Sequence, residues 1–280
     1  MSFRIDRVVF AWSRMEALAG AFARVGLSTD YGGIHSNGAT HFSTLGFMDG
    51  SYIEIVSVRQ PGQQAPVWQR HIETDGGACA WSITVDDMHR IGTRLANLGI
   101  PLDGPRDSAR RRPDGESVES EIMFVGADGM GSLHPFMVSD HTPRRNRVQV
   151  SESVRVGELE GIDSVLIAVP DVEAAALEMQ RIYGAGEPVD IDSSAFPGRI
   201  MLLEGEPVSL VSPESADDPI ADLIDRYGPT PCGCLIRSRD MAASQERLPL
   251  CPTGVFAKRP FAWIKFEGFD NLNIGVIAAE

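Results

Sequence analysis

The chain has 280 residues, a formal net charge of −14 and 43% hydrophobic residues. That length suits one large domain or two of roughly 140 residues, and either can bury a core without a disulfide or structural metal. The acidic balance excludes gripping nucleic acid or anionic lipid by charge as the main task, and no run approaches the ~18 consecutive apolar residues of a membrane span.

The chain opens on MSFRIDRVVF, where Asp6 interrupts any apolar core, so no signal peptide is expected. Ile5–Ala11 is an apolar, β-branched run and predicts a strand. Met15, Leu18, Ala19, Phe22 and Val25 then recur at helical spacing, with a stop near Gly26. Short strands are expected at His41–Phe47 and Ser51–Val58, and Cys79–Val85 opens a second strand–helix unit. The stretch Asp103–Glu119 reads as irregular, and its Arg110, Arg111 and Arg112 as a solvated loop or, alternatively, a clamp for an anionic ligand or partner. Strands follow at Glu121–Val125 and His134–Val138, separated by Gly126–Gly131, which is turn chemistry rather than a nucleotide cradle. Residues 141–160, HTPRRNRVQVSESVRVGELE, are polar and charged and read as a link.

Beyond that link the chain repeats itself. Ile162-Asp163-Ser164-Val165-Leu166-Ile167-Ala168 matches Ile5-Asp6-Arg7-Val8-Val9-Phe10-Ala11 at an offset of 157, and Glu173 falls on Glu16. A helix using Val172, Ala175, Leu177, Met179 and Ile182 stops at Gly184, with strands at Arg199–Leu203 and Val208–Val211. Cys232–Met241 matches Cys79–Met88 at an offset of 153. Two nearly equal offsets define copied halves, 1–140 and 161–280, each built from two strand–helix units. Cys232, Cys234 and Cys251 lack knuckle spacing and a fourth zinc ligand, so they read as buried small hydrophobes. Four cysteines make no disulfide framework, and reduced thiols in the cytoplasm are expected. Only Lys258 and Lys265 are lysines, an arginine-rich balance that suits a high-GC or salt-loving host and says nothing about chemistry.

This pattern resembles the vicinal oxygen chelate superfamily and, more narrowly, its glyoxalase-like domain proteins. The residues that carry the resemblance are Ile5-Asp6-Arg7-Val8-Val9-Phe10, Tyr31-Gly32-Gly33-Ile34-His35, Asp49-Gly50-Ser51-Tyr52-Ile53-Glu54-Ile55 and Leu133-His134-Pro135-Phe136-Met137. IDSVLIAVPDVEAA is also similar to the superfamily's first strand and helix. The resemblance implies an α+β fold of two tandem domains, built from four βαβββ modules in curved mixed sheets that cradle a small-molecule pocket. In metal-using relatives a divalent ion acts as a Lewis acid, held by inward-facing His and Glu on the first and last strands of the modules. Here the first-strand positions hold Arg7, Ala80, Ser164 and Gly233. The later-strand acid survives as Glu54, with Ser209 as its counterpart. The cofactor is therefore open: a divalent metal suits the fold, but its ordinary ligand positions are not retained and no residue is assigned to one.

Glu54 shares a strand face with Tyr52 and Val56 and is expected to serve as base or ligand; the alternatives are a solvent-facing glutamate or one neutralised by Arg7. His35 and His41 flank a turn and suit general-base or substrate-binding work, or are polar loop and strand-edge residues. His134 is expected to meet Glu54 across the cradle, or else to be structural. Glu54, His134 and either His35 or His41 would make an unconventional 2-His-1-carboxylate set. Trp81 is expected to line the pocket, or to be core. The expected function is an isomerase or lyase acting on a small oxygenated or carbonyl metabolite, with Glu54, His35 and His134 catalytic and Arg7, His41 and Trp81 binding substrate. The alternative is a non-catalytic binding or sequestering protein on the same fold. The candidate pocket is expected in the first half, with the second half structural. The expected partner is a small-molecule ligand, not nucleic acid or membrane, and a homodimer is the assembly to test.

Overall fold

The computed structural model describes residues 3–127, 130–191 and 196–279. Of the expected turn at Gly126–Gly131, Asp128 and Gly129 lie outside the described residues. In chain order the first half holds β1 (Ile5–Ala11), α1 (Met15–Arg24), β2 (Asp30–Ile34), β3 (Thr40–Gly46), β4 (Tyr52–Val58), α2 (Gln69–Glu73), β5 (Gly77–Thr84), α3 (Met88–Asn97), β6 (Leu102–Arg111), β7 (Ser117–Val125) and β8 (Phe136–Asp140). Two short helical segments, α4 (Arg144–Arg147) and α5 (Glu152–Arg155), precede the second half. That half holds β9 (Leu159–Ala168), α6 (Val172–Tyr183), β10 (Pro188–Ile191), β11 (Arg199–Leu203), β12 (Val208–Ser212), α7 (Pro219–Tyr227), β13 (Thr230–Ser238), α8 (Met241–Arg247), β14 (Gly254–Phe256), β15 (Arg259–Trp263) and β16 (Ile274–Ala278).

The strands form two eight-stranded sheets of identical design, β2-β3-β4-β1-β5-β8-β7-β6 and β10-β11-β12-β9-β13-β16-β15-β14. In each sheet two βαβββ modules meet back to back. β1 runs parallel to β4 and β5 to β8, while β1 and β5 pair antiparallel; β9, β12, β13 and β16 repeat the scheme. The order is that expected of a tandem α+β pair with curved mixed sheets.

Each module helix covers one sheet face because its apolar positions recur every three or four residues. On α6 those positions are Val172, Ala175, Ala176, Met179, Ile182 and Tyr183, all buried. Leu177 falls on the opposite side and is 64% exposed, contrary to its expected place on the apolar face. The helix-covered faces of both sheets merge into one core containing Phe10, Leu18, Phe22 and Ile53 from the first half and Val165, Ile167, Met179 and Ile274 from the second. Aromatic contacts stitch the halves: Phe22 to Phe266 with centroids 5.1 Å apart, Trp12 to Phe269 at 5.3 Å and Phe3 to Tyr183 at 5.1 Å.

Several boundaries differ from the sequence reading, among them β9, which begins at Leu159 inside the stretch read as a link. Asp103–Glu119 is not an irregular loop but most of a long hairpin, in which Ser108 pairs with Ser120 and Arg110 with Val118. Pro105 suggested a loop, yet it is accommodated because β6 is an edge strand and the ladder slips register between Asp103 and Arg106. β8 begins at Phe136, not His134, since Pro135 has no N–H for a ladder.

Candidate functional site

Strand register decides which side chains meet. Arg7 lies opposite Tyr52 and Val9 opposite Glu54 on the parallel β1–β4 pair, and Thr44 and Phe42 lie opposite Glu54 and Val56 on β3–β4. Opposed residues share a face, so Arg7, Phe42, Tyr52 and Glu54 all line the face away from α1. β1 slips register against β5 between Ile5 and Arg7. At that irregularity the fully buried Asp6 accepts a hydrogen bond from Ser82 Oγ at 2.9 Å.

The result is a buried ionic cluster. Glu54 is 1% exposed; its Oε2 lies 3.5 Å from Arg7 Nη1 and its Oε1 lies 3.4 Å from His35 Nε2. Arg7 also donates to the Tyr52 hydroxyl and stacks its guanidinium 4.8 Å from the Phe136 ring centroid. His35 is fixed by Thr40 Oγ1, 2.8 Å from its Nδ1, and by stacking on Phe42 at 4.5 Å. Arg110, brought in by the β6–β7 hairpin, lies 4.9 Å from the Phe42 ring centroid and donates to the Gly32 carbonyl. On the other side of Tyr52, Arg147 donates to Asp6 at 3.0 and 2.8 Å, to Asp140 at 2.6 and 2.9 Å and to the Tyr52 hydroxyl at 3.1 Å. Burial pushes the Glu54 carboxyl up, but Arg7, His35 and Arg110 outweigh it and bring it down to about 2. Asp6 behaves alike: burial raises it, and Arg147, Arg7 and Arg144 hold it well below the usual carboxylate range. Apolar side chains fill the rest of this face: Val9, Ala11, Val56, Ala65, Ile72 and Val138 pack together, with Trp68 against them. Glu54 itself is enclosed by these side chains, while 23% of the His35 side chain stays exposed.

The structure therefore brings Glu54, Arg7 and His35 together and separates the other expected site residues. His41 pairs across to Ser57, one position out of phase with Glu54, so it faces the opposite side and contacts Tyr31 at 6.0 Å. Trp81 pairs with Val8, which turns it into the shared core, where it has no exposure and donates to the Ser132 carbonyl at 3.0 Å. It does not line the cup. His134 does not meet Glu54; its Nε2 lies 3.2 Å from Glu178 Oε1, and its ring packs 5.7 Å from Tyr183. The 2-His-1-carboxylate set is thus not assembled. Asp6, Asp140 and Arg147 are not singled out as site residues by the sequence, and Arg110 only as part of a solvated loop or anion clamp; the one signal for the first group is Asp6-Arg7, a charged pair inside an otherwise apolar strand.

A divalent metal does not fit this cup. Its carboxylates are already engaged by guanidinium groups, Glu54 by Arg7 and Asp6 by Arg144 and Arg147. Among the described residues no three His, Cys, Asp or Glu side chains are grouped to hold an ion. Cys232 and Cys234 are buried, and burial pushes both thiols up, away from ligating thiolate.

The second half differs at the same two positions. Ser209 lies opposite Leu166 as Glu54 lies opposite Val9, and Ser164 stands where Arg7 stands. Both serines line a cavity of about 1380 Å³ that runs from the second sheet to the ends of β1, β5 and β8 in the first half. In that cavity Arg259 is held by Asp163 through two bonds of 2.9 and 2.5 Å.

Comparison places this architecture among known folds. A hypothetical protein from Staphylococcus aureus matches with a TM-score of 0.65 and 9% identity over 98% of this chain and 99% of that one. A mutant of 4-hydroxymandelate synthase from Streptomyces coelicolor matches at 0.63 and 10% identity over 99% and 92%. The Mn(II)-bound glyoxalase from Novosphingobium aromaticivorans matches at 0.56 and 10% identity over 99% and 82%. At such identities the likeness shows the fold alone. The chain belongs to the glyoxalase-like domain family of the vicinal oxygen chelate superfamily, on a match that covers residues 5–183. No curated protein matches the sequence.

Proposed function

We propose that the chain binds a small oxygenated or carbonyl-bearing metabolite without a metal and without using Glu54 as a base. The observation that carries this reading is the state of Glu54, which is 1% exposed and ion-paired to Arg7 at 3.5 Å. A general base works best with a pKa near the operating pH, whereas this carboxyl is brought down to about 2. An isomerase or lyase drawing its proton acceptor from the first cup would need a freer group. The open space lies instead beside Ser164 and Ser209, two neutral hydroxyls. Hydroxyls suit recognition of a neutral oxygen more than metal binding or proton abstraction.

Calorimetric titration with Mn²⁺ and with Zn²⁺ tests the metal-free part. Wild-type protein and Glu54→Gln are both expected to show no tight one-to-one binding. Tight binding to the wild type that disappears in Glu54→Gln would return the first cup to the metal-using pattern and overturn the proposal.

A further inference from the structure

We infer that the cavity beside the second sheet takes a small amphipathic monocarboxylate whose charge is met by Lys258. This rests on the reading of the chain as a metal-free binder, and the test below separates the two. The first support is the way the duplicated sheets close. In the first half the β6–β7 hairpin, with strands of ten and nine residues, carries Arg110 across to the Gly32 carbonyl on β2, the opposite edge of the same sheet. Its counterpart, the β14–β15 hairpin, has strands of only three and five residues. The second sheet stays open between its edge strands β10 and β14, and Val189 on one and Val255 on the other both line the cavity. Lys258, exposed at the tip of the short hairpin, lines it as well. It bridges to nothing: among the described residues its ammonium has no hydrogen bond or ion pair.

The second support is the pairing of every other cation in the lining. Arg4 is held by Asp86 at 2.5 Å, Arg144 by Asp6 at 2.9 Å, Arg237 by Glu160 at 3.2 Å and Arg259 by Asp163 at 2.5 Å. Asp190, on the facing edge strand β10, is taken by Arg199 through two bonds of 2.8 Å. Lys258 is thus the one lining cation among the described residues with no counter-ion in the chain, and a carboxylate from solution can supply it. Acidic side chains still outnumber basic ones in the lining, seven to five, so a second negative charge on the ligand meets repulsion. The third support is the turn itself. Ala257 and Lys258 both adopt left-handed backbone, with φ of 49° and 66°, in a two-residue hairpin turn of the kind that Asn-Gly fills without strain. A lysine there costs backbone energy and gains no polar partner within the chain; what it does is set an ammonium beside the cavity. Leu202, Phe256 and the two valines, 45% and 59% exposed, give the body of the ligand apolar surface to cover.

Four probes on one ring system separate the chemistry: 2-naphthoate, neutral 2-naphthol, cationic 2-naphthylmethylammonium and the dianion 2,6-naphthalenedicarboxylate. Calorimetry on the full chain is expected to give naphthoate a Kd about tenfold below those of the other three, the gain from one charge-assisted hydrogen bond. Lys258→Met, and Lys258→Gly, which suits the backbone of the turn, are both expected to bring naphthoate to within about twofold of naphthol, through loss of that bond. Naphthoate binding no tighter than naphthol, dicarboxylate binding as tightly as naphthoate, or a preference that survives both substitutions each overturns the assignment. Naphthoate binding only in the presence of Mn²⁺, with the Lys258 dependence intact, would instead overturn the metal-free reading and leave the site assignment standing.

Discussion

An arginine placed beside a strand glutamate changes what that glutamate is for. Glu54 and Arg7 sit on adjacent strands with the carboxylate almost wholly buried, so each charge is stable only while the other is present. Removing one partner of a buried pair strands the other in a low-dielectric setting. Glu54→Gln is therefore expected to lower stability by about 3–5 kcal/mol, measured by chemical denaturation, and Glu54→Gln/Arg7→Met to recover a large part of that loss. If Glu54 were an unpaired base, Glu54→Gln would leave stability nearly unchanged. The pH dependence follows from the same pair. The carboxyl has an ordinary value of 4.5 in the unfolded chain and about 2 in the fold, so on acidification the unfolded chain takes up the proton first. Its stabilising contribution is complete above about 4.5 and is lost as pH falls from there towards 2. The unfolding temperature of the wild type should fall more steeply over that window than that of Glu54→Gln. Asp6, also held low by arginines, adds a slope of the same sign to both proteins.

At the scale of elements, the helix starts make a second prediction. α3, α6 and α8 each begin after an aspartate, Asp87, Asp171 and Asp240, whose carboxylate accepts the N–H three residues on. α1 begins after Arg14, which has extended backbone and no side-chain cap. Arg14→Asp should supply the missing acceptor and complement the helix dipole, raising stability by about 0.5–1 kcal/mol, read from the denaturation midpoint. A neutral or lower midpoint would show that the Arg14 backbone cannot cap. The repeat offsets and the helical spacing made the module order legible from sequence. Strand facing was legible only where alternation survived. In β4 the choice of Glu54 with Tyr52 against Ile53 with Ile55 was readable and held. In β5 every residue from Gly77 to Ile83 is buried, so polarity gives no phase and leaves Trp81 open between pocket and core; the structure places it in the core. Arg110 and Arg147 were unreadable as cup residues for another reason. They reach Gly32, Asp6 and Tyr52 across 78, 141 and 95 positions of chain, contacts that only the completed sheet creates. Arg147 lies in the stretch read as a link, where its burial against Asp6 and Asp140 leaves no local trace in the sequence.

For the molecule as a whole, the two sheets share one core, and their duplicated positions have diverged in opposite directions. Where the first half places Arg7 and Glu54, closing its cup with internal charge, the second places Ser164 and Ser209 on an open cavity. Because Phe22 of the first half packs on Phe266 of the second, with Trp12 and Phe269 beside them, the halves are expected to unfold in one transition. Phe22→Ala should cost about 3–5 kcal/mol and lower the calorimetric midpoint without splitting the peak. Two resolved transitions would contradict a shared core. Whether Glu54 is a buried counter-ion or a working base can be read from a ¹³C NMR titration of its side-chain carboxyl, assigned with Glu54→Gln. The carboxyl is predicted to titrate near 2 and to stay ionised at every higher pH; titration at or above its ordinary 4.5 would show a carboxyl free of Arg7 and able to serve as a base.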